Sequence, residues 1–153
     1  MAQAPSRVQT LNPEPAAQYQ RQFTEDFTVY ELDFLGLAAG TSANGSVQIQ
    51  ADSAFKWTKA CYYADIDAAA FQVDTQPVPN VSITIQDSGS GRSLFNLAVP
   101  VPSIFGFGTL PFILPIPRIF LARSSMAVTV QNFDAAATYN LRLSFIGTKL
   151  FQM

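Results

Sequence analysis

The clearest signal along the chain is an alternation of apolar and polar positions with a period of two. Val81, Ile83 and Ile85 alternate with Ser82, Thr84 and Gln86. Met126, Val128 and Val130 alternate with Ser125, Ala127, Thr129 and Gln131. Tyr139, Leu141, Leu143 and Phe145 alternate with Thr138, Asn140, Arg142 and Ser144. Successive side chains of a strand point to opposite faces, so each run predicts a half-buried strand. Val47, Ile49 and Ala51 predict a shorter one. Phe55, Trp57, Cys61 and Tyr63 predict another, with all four inward and Lys59 interrupting the inward face. Over residues 27–35 the apolar phase slips, because Phe27 and Val29 precede Tyr30, Leu32 and Phe34. That slip predicts a β-bulge between Val29 and Tyr30. Phe95, Leu97 and Val99 predict a strand that stops at Pro100, and residues 118–122 a short one. No stretch carries a helical period, and residues 65–71 offer at most one or two turns.

The links between these runs have turn chemistry: residues 40–45 (GTSANG), 87–91 (DSGSG) and 132–135 (NFDA). About eight short strands joined in this way predict an all-β fold, an antiparallel β-sandwich that is jelly-roll-like. An immunoglobulin-like sandwich is the alternative, but its Cys…Trp…Cys signature is missing. The strand periodicity starts only after residue 24, so the reading divides the chain into a sandwich domain over residues 25–153 and an extended N-terminal arm over residues 1–24. The arm carries Gln3, Gln9, Gln18, Gln20 and Gln22 with Pro5, Pro13 and Pro15, and neither periodicity. Such a composition reads as a disordered tail, or as an arm laid across a neighbouring subunit.

Residues 100–117 (PVPSIFGFGTLPFILPIP) hold five of the ten prolines and no charge. A membrane-spanning helix is disfavoured, because each interior proline removes a hydrogen bond and clashes with the preceding turn. Two readings remain: a long loop folded over its own sandwich, or an apolar surface loop docking into another chain.

Composition sharpens the second reading. Of 153 residues only 13% are charged, with nine Lys and Arg against eleven Asp and Glu and a net charge of -2. That is about half the ~25% of an ordinary soluble domain. So weakly charged a chain leaves neutral or apolar atoms on its outside, or covers them with a partner. The charge is also uneven: residues 1–91 sum to -6 and residues 92–153 to +4. No histidine is present, which removes Ser-His-Asp and Cys-His machinery and histidine metal sites. The single cysteine, Cys61, forbids an internal disulfide. An acidic chain with few bases is a poor nucleic-acid binder. The first residues lack the apolar core of a signal peptide.

Candidate chemistry is thin. Asp65, Asp67 and Asp74 have an oxygen-ligand spacing, but the calcium-loop pattern is absent, and a solvated loop is the simpler reading. Glu25, Asp26, Glu31 and Asp33 supply carboxylates of the type that glycoside hydrolysis needs, with Glu31 and Asp33 on one strand face, but a surface role is favoured. Tyr30, Trp57, Tyr62 and Tyr63 would make a sugar platform only if exposed, and the inward phase of Trp57 and Tyr63 favours the core. The Gly89-Ser-Gly91 turn opens no helix, so it is no phosphate loop. The expectation is therefore no enzyme, no cofactor and no metal, and no nucleic-acid or membrane partner.

The last third, IPRIFLARSSMAVTVQNFDAAATYNLRLSFIGTKLF, resembles a pattern of small tailed-bacteriophage virion proteins. Its positions here are Pro117, Arg118, Ile119 and Phe120, then the strand 128–132 ending in Asn132, then Phe145, Gly147, Lys149 and Phe151. Upstream, Ile49, Phe55 and Trp57 of IQADSAFKW match as well. The resemblance covers residues 45–151. It implies a jelly-roll capsid decoration (cement) protein, located in the virion and assembled in the host cytoplasm, that binds the major capsid protein, copies of itself, or both. Alternatives are another virion position (collar, tail adaptor or fibre base) and a carbohydrate-binding host-attachment module. A rigid sandwich would supply the body. Val8, Leu11, Tyr19 and Phe23 in the arm, and Ile104, Phe105, Phe107, Phe112 and Ile113 in the apolar segment, would supply the contacts with the partner.

Overall fold

The computed structural model describes residues 23–66, 71 and 77–152. They form β1 (Phe23–Leu37), β2 (Ser42–Gln48), β3 (Ala54–Asp65), β4 (Val81–Asp87), β5 (Arg92–Ser93), β6 (Val99–Pro100), α1 (Val101–Ile104), β7 (Phe112–Phe120), β8 (Ser125–Asn132) and β9 (Tyr139–Gln152). One sheet has the order β1-β9-β3-β7. The other has the order β2-β8-β4-β5, with β6 also on β4. All these pairings are antiparallel. With β5 and β6 taken as one interrupted strand there are eight, and the first pairs the last, the second the seventh, the third the sixth and the fourth the fifth. That nesting is a rolled-up antiparallel ribbon, the jelly roll, as the strand count leads one to expect.

The three alternating runs bury their apolar sides as the period predicts: Val81, Ile83 and Ile85, Met126, Val128 and Val130, and Tyr139, Leu141, Leu143 and Phe145 all face the space between the sheets. At its centre Trp57 meets Phe145 edge-on at 5.2 Å, and Phe105 meets Phe145 edge-on at 5.6 Å. Edge-to-face pairs of this kind each add about 0.5–1.5 kcal/mol beyond the burial of their area. The turn at 132–137 is built by two side chains. Asn132 is fully buried and donates from Nδ2 to the carbonyls of Leu37 and Ala137, while Asp134 accepts the backbone N–H groups of Ala136 and Ala137.

Five expectations need correction. First, β1 keeps an unbroken register with β9 from Phe23 opposite Gln152 to Phe34 opposite Leu141, so no bulge lies between Val29 and Tyr30. The phase slip has another cause: Phe27 and Val29 lie on the outer face, whereas Tyr30, Leu32 and Phe34 pack inward. The irregularity falls between Phe34 and Leu37, where Gly36 adopts φ 63° and donates its N–H to Asn140 Oδ1 at 2.9 Å. A left-handed residue there suits glycine.

Second, β3 does carry a bulge, between Trp57 and Lys59. Trp57 Nε1 donates to the Lys59 carbonyl at 2.7 Å and Thr58 Oγ1 to the Ile146 carbonyl at 3.2 Å, so the extra residue is hydrogen-bonded in place. Beyond it the faces exchange. Ala60, Tyr62 and Ala64 are buried, and Cys61 and Tyr63, expected inward, turn to the half-exposed outer face.

Third, residues 94–98 form no strand. Ser93 Oγ closes a local turn on the Phe95 carbonyl, and Leu97 projects into solvent. Fourth, the supposed loop at 100–117 is mostly regular. Pro102 sits in the first turn of α1, where no N–H is required. Fifth, β7 is longer than residues 118–122 suggested. Pro115 and Pro117 are tolerated in it because it is an edge strand and its pairing with β3 lapses between Ile113 and Arg118. Most of residues 65–71, with Asp67, and also Asp74 lie outside the described residues. Among the described residues no helix is long and apolar enough to cross a membrane.

Candidate docking surface

The outer face of the β1-β9-β3-β7 sheet is the most distinctive surface. The registers place Phe27, Thr148, Lys56 and Ile119 in one cross-strand row. Val29, Ile146, Lys59 and Ile113 form the neighbouring row on the same face. Phe27 is 76% exposed, Ile113 68% and Ile119 52%, and Ile116 between its two prolines is 81% exposed. The most exposed apolar side chains therefore sit at the two margins of the sheet, with Thr148, the half-buried Ile146 and two lysines between them. Lys56 is held by Glu25, Nζ to Oε1 at 3.0 Å, and this bond draws the Glu25 carboxyl below its ordinary range.

The edge strand β7 is flanked by two shallow apolar concavities. One, of about 490 Å³, lies against Tyr62, Phe107, Leu110 and Ile113. The other, of about 450 Å³, lies against Trp57, Phe95, Leu114 and Ile116. Gly106 makes the bend between α1 and β7 possible, since a methyl group there would collide with the Leu110 carbonyl and the Phe112 N–H. The bend holds Phe107 over Tyr62, their rings 5.2 Å apart. β7 is anchored to the opposite sheet by Arg118, whose Nη2 lies 3.4 Å from Asp87 Oδ2. Burial opposes ionisation of Asp87, but hydrogen bonds from Ser90, the Gly89 N–H and Arg118 outweigh it and hold the carboxyl below its ordinary range.

At the far end of the same outer face the surface turns ionic. Arg142 grips Asp33 with two bonds, Nε to Oδ1 at 2.7 Å and Nη2 to Oδ2 at 2.8 Å, and its guanidinium lies 4.6 Å from the Phe71 ring. The Arg142 hydrogen bond lowers the Asp33 carboxyl. Glu31 approaches the same guanidinium at 3.8 Å. The pair is a surface ion cluster, and Asp33 is tuned away from the raised range that a general acid needs. Arg142–Asp33 and Arg118–Asp87 each join a base of the second half to an acid of the first, so the opposite sums of the two halves meet in space.

The residues expected to touch a partner are scattered. Val8, Leu11 and Tyr19 lie outside the described residues, and Phe23 opens β1. Ile104 is half-buried against the core and Phe112 is half-buried beside it. Phe105 is fully buried between Trp57 and Phe145 and belongs to the core, because α1 turns its ring inward. Phe107, at 39% exposure, and Ile113 are surface residues. Sequence reasoning missed Phe27, Val29, Ile116 and Ile119. For the first two the signal was present, in the phase slip that was read as a bulge. Ile116 and Ile119 could have been found from Pro115 and Pro117, which mark an edge.

No protein-family model and no curated protein matches the chain. Solved structures with a similar arrangement include an exo-β-1,3-galactanase from Phanerochaete chrysosporium with galactose, at 14% identity and a TM-score of 0.33. That match covers 81% of this chain and 29% of the galactanase. Another is the VP2 subviral particle of infectious bursal disease virus, at 11% identity and a TM-score of 0.30, covering 97% of this chain and 42% of VP2. The chain thus spans less than half the length of either.

Proposed function

We propose that this chain is a non-enzymatic virion structural protein, a capsid decoration or cement protein that bridges and stabilises major capsid subunits after assembly in the host cytoplasm. The observation that carries the reading is the concentration of exposed isoleucines, Ile113, Ile116 and Ile119, on one edge strand of a body whose core is already filled. A side chain of this size contributes about 1.5–3 kcal/mol when a partner buries it fully, against about 0–1 kcal/mol for an exposed ion pair. Docking through this strand would therefore be driven by apolar contact. The low charge and the phage-virion resemblance of residues 45–151 support the same reading. A sandwich cross-braced by Arg118–Asp87 suits the rigid part of such a clamp.

The test is to count copies of the chain in purified particles of the virus that encodes it, and to add the purified chain to shells stripped of it. Hundreds of copies per particle, and saturable rebinding that is lost in the Ile113→Ser, Ile116→Ser, Ile119→Ser variant, are the expected results. A handful of copies would move the chain to a collar, tail or fibre position. Its absence from particles would overturn the reading.

A further inference from the structure

The four sheet edges are not equivalent. β7 is broken by prolines, β5 and β6 are two residues each, and β2 has seven. β1 has fifteen residues, and among the described residues nothing pairs with its free side. It contains no proline and no lysine, and its register with β9 is regular for twelve residues, Phe23 through Phe34. Of the devices that usually protect an edge from adding another strand it carries only charge, the carboxylates of Glu25, Asp26, Glu31 and Asp33, which repel an acidic strand and admit a basic one. Its first part stands clear of the core, since Thr24, Glu25, Asp26 and Phe27 are exposed whichever face they belong to.

We propose that residues 6–12 of one copy add as a strand to this free edge of β1 in a second copy. This deepens the assembly reading above by naming what the N-terminal segment binds. Residues 6–12 (SRVQTLN) are a proline-free run between Pro5 and Pro13, with Val8 and Thr10 favouring a strand and Leu11 supplying an anchor. Charge selects this occupant. β1 carries Glu25, Asp26, Glu31 and Asp33, whereas residues 1–22 carry Arg7 and Arg21 against Glu14 alone. The obvious rival, β1 against β1 of a second copy, would lay two acidic strands side by side, which like-charge repulsion disfavours. Folding back onto the same chain, with a turn at residues 12–15 (NPEP), is the other rival, and it would leave the full chain a single subunit. Twenty-two extended residues reach up to about 70 Å, enough to cross to a neighbour. Exchange of such an arm between identical copies is a low-cost route to an oligomer.

Sedimentation of the full chain, of residues 23–153, and of the full-length Val8→Pro, Thr10→Pro variant tests this. The described sandwich is complete without residues 1–22, and far-ultraviolet circular dichroism verifies that both variants stay folded. The expected result is at least a doubling of mass for the full chain and a single subunit for each variant. A full chain that sediments as one subunit, or a proline variant that keeps the multimer, would overturn the inference. A single-subunit chain that still rebinds shells would sink this inference alone and leave the proposed function standing.

Discussion

Gly147 stands opposite Trp57 in the β3–β9 register, and a Cβ at that position would collide with the Lys56 carbonyl oxygen. The missing side chain lets β9 approach β3 beside the bulge that follows Trp57 and turns Ala60 and Tyr62 inward. The backbone contact is not the flexible tip of a side chain, so the collision cannot be relieved cheaply. Gly147→Ala is expected to lower stability by about 3 kcal/mol. Gly108→Ala, with open space around it, is expected to stay within about 0.5 kcal/mol. Urea midpoints of the two variants decide the matter; equal midpoints would show that the close approach relaxes freely.

Phe105 and Ile113 lie on either side of the Gly106 bend and should respond oppositely to truncation. Phe105→Ala empties a fully buried site between Trp57 and Phe145 and should cost about 3–5 kcal/mol. Ile113→Ser removes a largely exposed side chain and should leave stability within about 0.5 kcal/mol while reducing shell binding. Thermal unfolding paired with a binding assay separates the two effects.

The acid limb of stability should come from carboxylates. Asp33 is lowered by its Arg142 hydrogen bond, and Asp134 by the N–H groups of Ala137 and Ala136. At Asp87 burial works the other way but is outweighed by bonds from Ser90, Gly89 and Arg118. A carboxyl whose folded pKa is depressed contributes stability that is complete above its unfolded value, near 4, and is lost as pH falls through the folded one. With no histidine in the chain, unfolding free energy should be flat between about pH 5.5 and 8 and should fall below about pH 4. A titration with a step near pH 6.5 would contradict this, and Asp87→Asn should shallow the acid slope.

Cys61 is half-exposed on the outer face beyond the β3 bulge, and burial raises its thiol pKa. It should react with a disulfide reagent at pH 7.5 more slowly than a free thiol, because less thiolate is present. Reaction faster than free cysteine would rule out that environment. The same raised pKa means that any stability it contributes is lost only as pH rises through the alkaline range, above the ordinary thiol value of about 8.5.

Much of the fold was written in local order. Three clean alternations defined β4, β8 and β9, and the Asn132 and Asp134 pair marked its turn, because period two and turn chemistry are properties of neighbouring residues. The candidate surface was less legible. A strand with apolar residues on both faces, as in β1, gives the same one-dimensional pattern as a bulge, and Phe27 and Val29 were misread for that reason. Phe105 and Phe107 are indistinguishable in sequence, two aromatics around one glycine; the direction of the Gly106 bend sends the first into the core and the second to the surface.

By itself the sequence determined the all-β class, the inward side of the regular strands and the absence of histidine chemistry, since all of these follow from residue identity and spacing of two. The tertiary structure alone decided which strands became edges, where β3 slips register, and which of the apolar residues between Pro100 and Leu121 meet water. Those outcomes depend on the order in which distant strands pair, β1 with β9 and β3 with β7, and no local pattern carries that information.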